Sequence, residues 1–271
     1  MKNHSEQNVS AHHTGLATFF EGLATRTSLA ASSHTADLQA FFAGLRPAVR
    51  IAQRAQAELD RRAATRFSLF DFFHERETDL SRVFGSLLDP SGTHGQGDTF
   101  LSLFLDEVRE VLDGEVHGRL PAGSLRDARV DLEHRTDTGR SIDIVVRVRG
   151  HTWIGIENKP WAGEQPNQVS DYLEYLRTRA GPETDPDAWL VYLSGDGKRP
   201  ETLPDDPKDR MRCPTLPFRG AERGSPSLEN WVEKCRTECE AERVRWFLTD
   251  MLEYIRKWFE PAEPTETGDR S

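Results

Sequence analysis

The stretch from Ile142 to Lys159, IDIVVRVRGHTWIGIENK, constrains the chain more than any other. Arg149-Gly150-His151 marks a turn between two short apolar runs, and such runs read as a pair of β-strands. Side chains alternate along a strand, so Glu157 and Lys159, two apart, emerge on one face. Asp143 opens the first strand, and Glu157-Asn158-Lys159 ends the second. A hairpin brings those two ends together, which lets two carboxylates and a lysine meet. Carboxylate oxygens suit a hard divalent cation, and a cation beside an ammonium suits a phosphate and an activated water.

The use of lysine strengthens this reading. Only six of the 35 basic residues are lysine (2, 159, 198, 208, 234 and 257), and the other 29 are arginine. A lysine at the end of an apolar strand therefore points to a role for a compact ammonium that a guanidinium cannot fill. The net charge of −10 argues against indiscriminate nucleic-acid binding, which rewards clustered positive charge, and leaves room for a local basic groove. With 271 residues, 36% hydrophobic and 30% charged, the chain has material for a sizeable core. No apolar run reaches membrane-span length, and MKNHSEQNVSAHH lacks the apolar core of a secretory signal, so the expected location is the cytoplasm, with no membrane partner. Cys213, Cys235 and Cys239 form no disulfide framework. Cys235 and Cys239 supply half of a zinc set without a partner pair, and packing is the favoured reading.

In chain order, residues 1–13 read as a disordered tail and 14–70 as an N-terminal helical extension. Leu16, Phe19, Phe20 and Leu23, then Leu38, Phe41, Phe42 and Leu45, recur at helical spacing around a break at Ser32-Ser33. Pro47 is placed to start a further helix to about Arg66. Arg46, Arg50 and Arg54 share one of its faces, either a phosphate-contacting ridge or, as charge runs usually are, a solvated side. Residues 71–262 read as the main domain and 263–271 as a polar tail. Leu80, Val83, Phe84, Leu87 and Leu88 mark an amphipathic helix ended by Asp89-Pro90, with Glu77 on its apolar side. Glu77 is either a first-turn acid favoured by the helix dipole or part of a site. A glycine-punctuated loop carrying His94 leads to a helix with Asp98 as its N-cap. Strands follow at 128–135 and within the hairpin, then a helix from Gln165 to Arg179, a buried strand at 189–193, a short edge strand at 215–218, and helices over 227–239 and 241–259. The order specifies an α/β fold.

Asp143, Glu157 and Lys159 on a hairpin, a helical acid ahead at Glu77, and Gln168-x-x-x-Tyr172 on the helix behind together resemble the PD-(D/E)XK nuclease superfamily, the restriction-endonuclease-like fold. The run from Glu77 through Leu-Leu-Asp-Pro and His94-Gly-Gln-Gly97 is similar to a bacterial and phage branch of it. The resemblance spans roughly residues 70–195 and, more weakly, the C-terminal helices. It implies a central mixed β-sheet flanked by helices. It also implies that Asp143, Glu157 and the Asn158 carbonyl bind Mg2+ or Mn2+, that Glu77 completes or orients that set, and that Lys159 orients water and meets charge developing on the phosphate. Gln168 and Tyr172 match an element that contacts substrate or steadies the lysine, and His94 is a further substrate-side candidate, with a satisfied loop histidine as the other reading. The implied activity is metal-dependent nuclease action, with DNA as the expected partner, a setting in phage defence, and a homodimer or protein partner through the N-terminal helices. The alternative is a catalytically silent binding or regulatory module with the same fold.

Two further stretches carry the acid-x-lysine pattern, Asp196-Gly197-Lys198 and Asp206-Pro207-Lys208. Glycine and proline exclude both from a strand, so neither should present its pair from a sheet. The superfamily's proline before the first aspartate is Ile142 here.

Overall fold

The computed structural model describes residues 35, 37–55, 70, 77–112, 118–149, 151–161, 163–181 and 187–263. The chain divides into two compact units, residues 1–67 and 68–271. In the first, residues 37–55 form one continuous exposed helix. It passes through Pro47 rather than starting there, at the cost of the hydrogen bond that the missing proline N–H would make to residue 43. Arg46, Arg50 and Arg54 are all exposed on it. The expected tail over 1–13 and the break at Ser32-Ser33 lie outside the described residues, as does the C-terminal tail beyond Glu263.

The second unit carries five strands and six helices among its described residues. Helix α1, Glu77–Leu88, begins with Glu77 and Asp79 in its first turn, where the helix dipole favours acids, and buries Leu80, Phe84, Leu87 and Leu88. Helix α2 is Thr99–Glu110. Strands β1 (Arg129–Arg135), β2 (Ser141–Val148) and β3 (Thr152–Lys159) form an antiparallel meander. Helix α3, Gln168–Ala180, crosses over to β4, Ala188–Ser194, which pairs parallel with β3. The short α4, Pro207–Arg210, leads to the three-residue β5, Thr215–Pro217, which pairs parallel with β4. Helices α5, Leu228–Glu238, and α6, Glu242–Trp258, close the unit. The sheet order is β1-β2-β3-β4-β5, a mixed open sheet of the restriction-endonuclease-like kind.

Helices cover both faces. On one, α1, α2, α5 and α6 pack over Ile144, Val146, Ile154, Ile156, Trp189, Val191 and Leu193. On the other, Val169, Leu173 and Leu176 of α3 pack over Ile142, Val145 and Leu190. Strand β4 is buried along its whole length, as a parallel strand between two helical layers must be. Gly155 sets the depth of α3: a Cβ there would lie 2.7 Å from Leu176 Cδ1 and 3.0 Å from Leu190 Cδ1. Only a residue without a side chain admits the helix so close, and that closeness brings Gln168 to the end of β3.

Three local expectations differ from the structure. Asp98 stands at the N-cap of α2 without capping it; its Oδ2 instead accepts from the Leu125 N–H at 2.7 Å, a bond that lowers its pKa. Helix α3 starts three residues later than its apolar pattern suggests, because Asn167 adopts a left-handed conformation (φ 56°). Its first turn is satisfied from elsewhere, with Thr202 Oγ1 accepting from the Val169 N–H at 3.0 Å. Between the strands expected at 189–193 and 215–218, where the sequence marks no element, the chain forms α4, made possible by Asp206 capping the Lys208 N–H and by Pro207 at the first position.

Candidate active site

The site forms where the antiparallel ladder stops. Pairing of β1 with β2 steps from Leu132–Ile144 to His134–Ile142, passing over Glu133 and Asp143, and Glu133 takes a left-handed backbone (φ 48°). On the other side, β2 pairs with β3 as far as Ile144–Ile156, and beyond that the strands part. The gap leaves a main-chain donor, the Asn158 N–H, which bonds Asp143 Oδ2 at 2.8 Å. An acid side chain thus takes the place of a strand partner and is held at the end of β3.

Alternation along β3 then distributes the next three residues. Glu157 and Lys159 face α3. Lys159 Nζ lies 2.8 Å from Glu157 Oε1 and 2.5 Å from Glu77 Oε1, tying the strand to the first residue of α1. Gln168, the first residue of α3, donates from Nε2 to Glu157 Oε1 at 2.6 Å, and its own Oε1 accepts from the Gln165 N–H. One turn on, the Tyr172 hydroxyl donates to the Ser141 carbonyl at 2.7 Å. Asn158, between the two, points to the opposite face, where its Nδ2 meets the Glu77 carbonyl at 3.2 Å and Ser81 Oγ at 3.1 Å.

One carboxylate oxygen from each of Glu77, Asp143 and Glu157 lies within 4.8 Å of the others, the only such cluster of potential metal ligands among the described residues. Glu157 Oε2 is buried and has no hydrogen-bond partner. An orphaned anionic oxygen inside an acidic cluster is costly unless a cation completes it, so the residues fit a divalent metal with oxygen ligands. The side chain of Glu157 is 2% exposed, that of Lys159 10% and that of Glu77 25%, so the cluster opens to solvent on the α1 side.

Burial dominates the electrostatics. It raises the Asp143 carboxyl to about 6, against the lowering effect of the Asn158 N–H and Lys159. It raises Glu157 to about 8, with the Asp143 charge adding to the effect. Burial opposes the charged form of Lys159, yet the charge and hydrogen bonds of Glu157 and Glu77 outweigh it and hold the ammonium above its ordinary value. The Tyr172 phenol is also raised, by burial and then by Glu157. Shifts of this kind, from burial plus specific neighbours, concentrate at functional sites and also occur in structural ion pairs.

Of the residues anticipated from sequence, Glu77, Asp143, Glu157, Asn158, Lys159, Gln168 and Tyr172 come together at this end of the sheet. His94 does not. Its ring is spent on the Asp89 carbonyl and the Gln96 N–H and stacks on Phe100, past the far end of α1, a helix about 17 Å long. Tyr172 is 3% exposed, with its hydroxyl committed to Ser141 and Gln168, so it braces the site from behind. The three cysteines are buried and free, and burial raises the Cys213 thiol to about 12. Both sequence decoys lie off the sheet: Asp196 and Lys198 form an exposed pair at 2.7 Å, and Asp206 caps α4. Sequence reasoning passed over Ser81, and also Glu164, whose carboxylate accepts from the Thr202 and Glu201 N–H groups and from Thr202 Oγ1. Glu164 thereby fixes the residue that caps α3. Neither carries a local signal, because each acts across more than 35 residues of chain.

An open mixed sheet whose parted strands carry two acids and a lysine, with a third acid delivered by a helix, defines a restriction-endonuclease-like protein with a metal-competent site. The sequence model of the PD-(D/E)XK nuclease superfamily matches residues 67–264, well over half of the chain. The chain belongs to that superfamily. No curated protein and no solved structure matches it. No helix among the described residues is long and apolar enough to cross a membrane.

Proposed function

We propose that this protein is a divalent-metal-dependent nuclease that hydrolyses phosphodiester bonds in DNA. The observation that carries the reading is the convergence of the Glu77, Asp143 and Glu157 oxygens within 4.8 Å, with Lys159 Nζ against two of these acids. Asp143, Glu157 and Glu77 would hold Mg2+ or Mn2+, with the Asn158 carbonyl as a further oxygen ligand, and the ion would supply Lewis acidity toward the phosphodiester. Lys159 is positioned to orient the attacking water and to meet charge developing on the phosphate oxygens. Gln168 fixes the Glu157 carboxylate, and Tyr172 ties α3 to the start of β2, so the second acid approaches the first in one geometry. A homodimer or a protein partner, engaged through the N-terminal helix, and a cytoplasmic role in phage defence complete the proposal.

The purified protein, incubated with Mn2+ or Mg2+ and with duplex DNA, single-stranded DNA and RNA, should cleave DNA. Asp143→Ala, Glu157→Ala and Lys159→Ala should each abolish that cleavage. Undiminished cleavage by Lys159→Ala would remove the lysine from the mechanism. A second reading, a nuclease fold that binds a protein partner without turnover, draws on the net charge of −10. Calorimetry separates the two: no heat of binding with millimolar Mn2+ favours the second.

A further inference from the structure

We propose that Ser81 and the side chain of Asn158 are positioning residues that set the Glu77 carboxylate into the metal-ligand set. The inference rests on the metal-site reading above and concerns the one acid of the three that the sheet does not supply. Asp143 and Glu157 are placed by β2 and β3. Glu77 is the first residue of α1, where the main chain lacks the hydrogen bonds that stiffen a helix interior.

A closed triangle of hydrogen bonds fixes it. Ser81 Oγ donates to the Glu77 carbonyl at 2.9 Å, and Asn158 Nδ2 donates to the same carbonyl at 3.2 Å and to Ser81 Oγ at 3.1 Å. The hydroxyl thus donates a hydrogen bond to the helix and accepts one from the strand. Asn158 is fully buried and Ser81 is 3% exposed, so water does not compete for these bonds. Because Asn158 lies between Glu157 and Lys159 and points the opposite way, the strand that presents two site residues on one face grips the carrier of the third with the other. Asn158 Oδ1 is buried without a partner, so the amide pays for this grip with an acceptor left bare. A packing role alone would be filled at lower cost by an apolar side chain.

The test uses the full chain and reads Mn2+ affinity by calorimetry, independently of cleavage. Ser81→Ala should weaken Mn2+ binding about 10- to 100-fold, the range seen when supporting partners of metal ligands are removed. Ser81→Thr, which keeps the hydroxyl, should restore most of it, and Asn158→Ala should match or exceed the loss where it folds. In a Glu77→Gln background, Ser81→Ala should have no further effect, because both changes remove one contribution. Wild-type affinity in Ser81→Ala, or an equal further loss in the Glu77→Gln background, would overturn the positioning role while leaving the metal site standing. A wild-type protein that binds no Mn2+ would overturn both.

Discussion

Glu107 and Glu157 are both buried glutamates, 0% and 2% exposed, and they differ in what surrounds them. Glu107, on α2, has a partner for each oxygen. Oε2 accepts from the Ser227 N–H at 3.1 Å, and Oε1 accepts from Asn230 Nδ2 at 2.9 Å and Lys234 Nζ at 2.5 Å. It satisfies donors at the start of α5 and bolts that helix to α2. Glu157 has Oε1 committed to Gln168 and Lys159, its Oε2 is bare, and two other acids stand beside it. One acid is complete within the protein and belongs to the architecture. The other keeps one oxygen free of any hydrogen bond beside two further acids, as a ligand of a cation would.

Exchanging each acid for its amide tests that contrast most severely. Glu157→Gln should lower cleavage at least 10²- to 10³-fold, the scale of removing one preorganised electrostatic partner. In metal-free solution above about pH 8, where the wild-type acid is ionised, it should melt no lower than wild type. Glu107→Gln should do the reverse. It costs about 2–3 kcal/mol in denaturant unfolding, because it turns an amide donor toward buried donors, and leaves the folded fraction active. A Glu107→Gln protein of full stability and no activity would break the distinction.

The raised acids Asp143 and Glu157 predict a pH signature. Asp143 and Glu157 stand at about 6 and 8, against ordinary values of 3.8 and 4.5. The folded protein therefore keeps protons that the unfolded chain has released. The stability these groups allow is fully present below about pH 4 and is lost as pH rises toward 8. A metal must displace those protons, so Mn2+ should bind at least about tenfold more tightly at pH 8 than at pH 6, and its stabilising effect in thermal melts should grow accordingly. Affinity that is flat across that window would mean that the acids are ionised before the ion arrives.

The smallest expected effect sharpens the contrast from the surface. Lys198→Ala and Asp206→Ala, in stretches that spell the same acid-x-lysine pattern, should leave cleavage at the wild-type level. Loss of the exposed Asp196–Lys198 pair should leave the melting temperature at the wild-type value, and loss of the α4 cap should cost about 1 kcal/mol. Thermal melts and a cleavage assay check both.

The legible part of this site follows from period and composition. Glu157 and Lys159 share a face because side chains alternate along a strand, and Gln168 and Tyr172 share one because a helix turns about once every four residues. Glycine and proline mark the decoys as loops. The illegible part depends on contacts between distant segments. Nothing around Glu133 announces a left-handed residue, since no glycine or asparagine stands there, yet that residue sits opposite the parting of β2 from β3. Ser81 reads as an unremarkable small residue in an apolar helical pattern until Asn158 is seen across from it. Sequence leaves both readings of His94 open, and its own loop satisfies the ring; Asp98, at an N-cap position, instead accepts from the Leu125 N–H, 27 residues on.

The left-handed turn at Glu133 has a consequence for the company the protein keeps. Strand β1 lies at the sheet's margin, and a straight, flat margin invites a strand from another molecule to add to it. A kink two residues before its end, within a run that also carries Arg129, Asp131 and Arg135, breaks the even row of donors and acceptors that such an addition needs. The irregularity beside the parted strands thus also makes the protein a poor seed for sheet-to-sheet aggregation, and smoothing it would trade solubility for regularity.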